Sequence, residues 1–104
     1  MRFQISRHAI ERFRERDGTC EQLDDQRVGV LLWAEIERGI PLGVQLARDR
    51  FVLLPCGLVA VLTWSNRQFV AKTILTRSMA IASMEARGVH LRWSVLAVLL
   101  RDAA

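Results

Sequence analysis

The sequence predicts an α+β domain: two N-terminal helices followed by a four-stranded antiparallel sheet, with a C-terminal helical segment. Three observations lead there. Apolar residues recur at helical spacing as far as Arg38. Between Gly43 and Thr76 the chain breaks into short runs rich in Val, Leu, Phe and Thr, divided by turn residues. After Arg77 small and apolar residues return, and the alternation is lost.

Each element has its own local reason. Phe3 and Ile5 suggest a short opening strand or extended arm. Ser6 is a fitting helix N-cap and Asp17-Gly18 a fitting stop, so Arg7 to Arg16 reads as a helix with Ala9, Ile10 and Phe13 as its apolar stripe. A second helix is expected from about Glu21 to Arg38, on Val28, Leu31, Leu32 and Ile36, and ended by Gly39 and Pro41. Gly43 to Ala47, Phe51 to Pro55, Leu58 to Trp64 and Gln68 to Thr76 read as strands. Their short connections imply antiparallel hairpins. Residues 77–87 read as helix, broken by Gly88, and the apolar run Val89 to Leu100 is read as helix too.

The chain of 104 residues, 51% of them hydrophobic, makes a single domain, 1–104, with enough apolar matter for a core. Two cysteines cannot build a disulfide framework or a four-ligand zinc site. The longest uncharged stretch, Phe51 to Asn66, contains Pro55 and Gly57 and falls short of the roughly 20 apolar residues of a membrane span. The charged opening lacks an apolar signal core, so a cytoplasmic protein is expected, with no membrane association.

The net charge is +4, and Lys72 is the only lysine among 15 basic residues. Residues 1–16 carry a balance of +3, residues 17–66 one of −3, and residues 67–104 one of +4. If both ends fold onto one face, that face attracts a polyanion. A GC-rich genome would also explain the arginine bias.

One constellation can carry chemistry. His8, Arg12 and Arg16 stand at i, i+4 and i+8, a single stripe on the first helix, about 100° around from Ala9 and Phe13. The stripe therefore borders the buried face. A histidine beside two arginines suits metal-independent RNA cleavage. A base takes the ribose 2′-OH proton, an acid protonates the leaving oxygen, and cations stabilise the phosphate. Histidine titrates near neutral pH and serves as either acid or base. Arginines on the flank of a surface helix, paired with Glu11 and Glu15, would look the same.

The run Ile5-Ser6-Arg7-His8-Ala9-Ile10-Glu11-Arg12-Phe13-Arg14-Glu15-Arg16 resembles the HAxxRxxxR opening of small bacterial and phage proteins related to BrnT-type and RelE-type toxins. These belong to the barnase–EndoU–colicin–RelE superfamily of metal-independent ribonucleases. Lys72-Thr73-Ile74-Leu75-Thr76 is similar to a late strand of such proteins. The resemblance implies a core of two helices and four antiparallel strands. It implies catalysis by His8, Arg12, Arg16 and Thr73. Of the other basic residues, Arg7, Arg14, Lys72 and Arg77 are expected to contact RNA. The resemblance also implies no cofactor and no metal, and a partner antitoxin, acidic where it covers a basic cleft. Lys72 and Thr73 point to opposite faces of a regular strand, so both can face one cleft only across a bulge. The resemblance leaves residues 77–104 unexplained.

A second expectation is a non-catalytic factor on the same scaffold, binding nucleic acid or a host protein. The apolar surplus of Met79, Met84, Trp93, Val95, Leu96, Leu99 and Leu100 would fit a homodimer interface through residues 78–100. Completion of the core explains it equally. Trp33, Trp64 and Trp93 could stack on bases, but each sits in an apolar run that favours core packing. Cys20, beside Glu21, Asp24 and Asp25, is a poor nucleophile, and Cys56 reads as a small core residue.

Overall fold

A computed structural model describes residues 3–18 and 22–89. In chain order its elements are β1 (Phe3–Ile5), α1 (Arg7–Arg16), α2 (Asp25–Glu37), β2 (Ile40–Leu46), β3 (Asp49–Leu53), β4 (Val59–Ser65), β5 (Gln68–Leu75) and α3 (Arg77–Ala86).

The sheet corrects the expected architecture. It has five strands in the order β1-β5-β4-β3-β2, and it is mixed. It also begins at the N-terminus, before the helices. β1 lies parallel to β5, with Phe3 opposite Phe69 and Ile5 opposite Ala71. The opening strand or arm suggested by Phe3 and Ile5 is a strand, but its partner is remote in sequence, so no local signal shows that it joins the sheet or in which direction. The strands β2 to β5 form antiparallel neighbours, as their short turns require. The β4–β5 turn has Asn66 and Arg67 at φ 52° and 63°, the geometry of a tight two-residue hairpin.

α1 begins where the Ser6 hydroxyl accepts from the Ala9 N–H at 3.0 Å, and it ends at Asp17. α2 starts later than the pattern suggested. Asp24 caps it by accepting from the Arg27 N–H at 2.9 Å. Gly39 follows α2 where Val52 crowds the chain, and a β-carbon there would stand 2.3 Å from Val52 Cγ1. The α2–β2 turn therefore needs glycine for space.

Apolar side chains divide between the two faces of the sheet. Ala9 and Phe13 of α1 with Val28, Leu32 and Ile36 of α2 pack on Val52, Ala60, Leu62, Ala71 and Ile74. On the other face Ala80 and Met84 of α3 pack on Leu42, Phe51, Leu53, Val59 and Val61. Alternate residues of β3 and β4 serve opposite layers, so both strands read as nearly continuous apolar runs. Met84 is thus a core residue, while Met79 is exposed. Trp93, Val95, Leu96, Leu99 and Leu100, the helix expected over Val89–Leu100 beyond Val89 itself, Cys20 and residues 90–100 of the suggested dimer surface lie outside the described residues. Among the described residues no helix is long and apolar enough to cross a membrane.

Candidate functional site

The edge of the sheet builds the site. After β1 the chain turns at Ser6, whose N–H donates to the Ala71 carbonyl at 3.0 Å. The Ser6 hydroxyl donates to the Lys72 carbonyl at 3.3 Å. These bonds fix the start of α1 against β5. Burial of Ala9 and Phe13 then fixes its rotation.

With that rotation set, His8 is exposed, and it makes no hydrogen bond or ion pair among the described residues. Arg12 is half-exposed, and its Nη1 meets Glu15 Oε2 at 2.7 Å. Arg16 is more deeply set, with a side chain 19% exposed. It reaches Glu15 at 3.7 Å and donates to the Met79 sulfur at 3.5 Å. The stripe therefore runs from open solvent at His8 to the first turn of α3. One carboxylate, Glu15, serves both arginines.

β5 carries the other expected residues, Lys72 and Thr73, and does not bring them to the His8 stripe. Val61 pairs with Thr73 and Leu62 with Ala71, so Lys72 is an inserted bulge residue. Ala71 and Ile74 both face the α1–α2 layer. Thr73, opposite Val61, lies on the α3 side, and Lys72 reaches Asp49 on that side. The bulge thus turns both side chains to one face. Lys72 is committed there. Its Nζ donates to Asp49 Oδ2 at 2.8 Å, and Arg87 Nη1 reaches the same oxygen at 3.2 Å.

Asp49 is only 6% exposed. Burial alone would raise its carboxyl. Hydrogen bonds from Lys72, Thr63 and Arg87 outweigh that and hold it below the usual aspartate value. Neither Asp49 nor Arg87 stood out in the sequence, since a lone acid in a strand gives no sign of which cations fold over it.

The arginines expected as RNA contacts separate. Arg7 is exposed and lies 3.6 Å from Glu11. Arg14 bridges the two helices, donating to the Leu23 carbonyl and to Asp25. Arg77 packs on the β3–β4 turn, its guanidinium carbon 3.7 Å from where a Gly57 β-carbon would stand. Arg14 and Lys72 therefore serve the fold, whatever else they do.

Two further expectations are corrected. Cys56 is exposed on the β3–β4 turn, because Pro55 and Gly57 turn the chain outward there. Partial burial of its thiol and the nearby Glu35 and Asp17 push it up, which leaves a weak nucleophile. Trp33 and Trp64 are 40% and 45% exposed, not core residues. Trp33 stacks on Phe3 at 4.2 Å between ring centres and donates to Glu37.

Among the described residues no cluster of His, Cys, Asp or Glu is placed to hold a metal ion. No family model, curated protein or solved structure matches this chain.

Proposed function

We propose that the protein is a metal-independent RNA-cleaving, toxin-like factor acting in the cytoplasm. The observation that carries this reading is His8 itself, exposed and unengaged among the described residues, at the open end of a stripe shared with Arg12 and Arg16. In this mechanism His8 accepts the proton of a ribose 2′-hydroxyl. The 2′-oxygen attacks phosphorus, and the bond to the leaving oxygen breaks. His8 or water returns a proton to that oxygen. Arg12 and Arg16 stabilise the charge on the phosphate. Thr73, on the α3 side of the sheet opposite Val61, takes no part in this step. Control of such an activity calls for an acidic antitoxin over the same surface.

The sharing of Glu15 by Arg12 and Arg16 favours a second reading. Part of the cationic field is already neutralised in the free protein. That suits a non-catalytic factor that binds nucleic acid or a host protein, acting alone or as a homodimer through residues 78–100.

The test is cleavage of RNA by purified protein in EDTA beside a His8→Ala variant of verified fold. Cleavage that survives EDTA and disappears with His8→Ala supports the nuclease. Absence of cleavage by the wild type, with ribosomes included among the substrates, overturns it in favour of the second reading.

A further inference from the structure

The layer formed by α1 and α2 does not cover the whole of its sheet face. At the end near the β2–β3 and β4–β5 turns a cavity of about 340 Å³ is lined by Gln45, Ala47, Arg48, Arg50, Trp64 and Phe69. Trp64 and Phe69 face each other across β4 and β5, ring centres 4.9 Å apart and tilted by 70°. The Arg50 guanidinium carbon lies 5.1 Å from the centre of the Phe69 ring. This arrangement leaves Trp64 45% exposed beside the opening.

The charges there are of one sign. No described lining residue is acidic. Arg48 and Arg50, with Arg67 in the adjoining turn, make no ion pair among the described residues. Asp49, between the two arginines in sequence, points to the opposite face and is held by Lys72 and Arg87. An exposed indole among guanidinium groups that make no ion pair among the described residues meets the two parts of a nucleotide. The ring offers a stacking face to a base, and the guanidinium forks offer paired N–H donors to phosphate. An open sheet surface also admits a continuing strand.

We propose that this end of the sheet is a single-stranded nucleic-acid site, in which a base stacks on Trp64 and the backbone phosphates bind Arg48, Arg50 and Arg67. The site deepens the nucleic-acid reading above and rests on it for the class of ligand. It does not depend on cleavage.

The test is fluorescence anisotropy with labelled oligothymidylate DNA, which lacks the 2′-hydroxyl that cleavage needs, and with the matching oligouridylate RNA in EDTA. Trp64→Ala and Arg50→Gln change exposed side chains, and circular dichroism verifies their folds. Each is expected to weaken binding by about tenfold. Inorganic polyphosphate, which has charge but no bases, should bind more weakly than the oligonucleotides and be indifferent to Trp64→Ala. The two oligonucleotide arms separate RNA preference from general single-strand binding. Wild-type binding that both variants retain overturns the site and leaves the nucleic-acid reading standing. Failure of the wild type to bind either oligonucleotide overturns both. Equal binding of polyphosphate, with no effect of Trp64→Ala, reduces the site to bare charge and overturns the stacking assignment.

Discussion

The Ser6 hydroxyl donates to the Lys72 carbonyl at 3.3 Å and accepts from the Ala9 N–H at 3.0 Å. One side chain thus caps α1 and ties it to the bulge in β5. The bulge matters for this contact. It leaves Lys72 without a cross-strand partner on β4, while its carbonyl is engaged at the edge where α1 begins. His8 is two residues further on, so the direction in which its ring leaves the helix is set from this point.

Ser6→Ala removes the cap and the tie together. The expected loss is about 1 kcal/mol of stability, the usual cost of losing a serine N-cap. Urea denaturation measures it. Ser6→Asp keeps an acceptor for the Ala9 N–H but cannot donate to Lys72 when ionised. It should recover most of the capping part of the loss. Ser6→Ala as stable as wild type would mean that the cap bond contributes nothing.

Asp49 anchors the other side of β5. Because its folded value lies below the ordinary 3.8, the carboxylate stabilises the fold above that value. The contribution is lost as the pH falls through the lower, folded value. Asp49→Asn should therefore cost about 1–3 kcal/mol near neutral pH, less than a fully buried pair because Lys72 and Arg87 can turn toward water. The gap between variant and wild type should begin to narrow as the pH falls below the ordinary value of 3.8 and close only once it passes the lower, folded value. Denaturation curves at several pH values decide this, and a gap independent of pH would remove the charge from the explanation.

Gly39→Ala should destabilise by about 1–3 kcal/mol, because the new methyl meets Val52 Cγ1 and the nearest alternatives are the Leu53 and Ile36 carbonyls. A double-mutant cycle with Val52→Ala tests the cause. If the clash is responsible, the double variant loses less than the sum of the single losses, by about 0.5 kcal/mol or more. Strict additivity would place the cost elsewhere.

What could be read in advance depended on whether the determining contact was local. α1 was legible because its cap, its apolar stripe and its stop lie within a dozen residues, and the His8–Arg12–Arg16 stripe followed from helical spacing alone. β1 as a strand of the sheet was not, since its role depends on β5, some 66 residues away. The bulge left a trace in the sequence. Ala71 and Ile74 are both apolar and three apart, which no regular strand puts on one face. That trace alone does not show where Lys72 turns. Trp64 was misread because its alternation is that of Leu62 and Ala60, which are buried. Only the extent of the covering helices shows that the layer ends before Trp64. Pairing of Arg12 with Glu15 was within reach, since the two are i, i+3 on one helix.

That last pair gives the most direct probe of the basic stripe. Glu15 lies 2.7 Å from Arg12 and 3.7 Å from Arg16, and it is more than half exposed. An exposed pair of this kind is worth about 0.2–1 kcal/mol, so Glu15→Gln should alter stability little. It should release both guanidinium groups toward an incoming phosphate. The expected result is a twofold to fivefold gain in affinity for RNA, roughly the same energy expressed in binding, with a steeper dependence on salt. Titration of the variant at two ionic strengths gives both quantities. If RNA uses the stripe, the gain appears and vanishes again when Arg12→Gln is added. If affinity and salt slope match the wild type, RNA does not approach these arginines, and the catalytic reading of His8 falls with them.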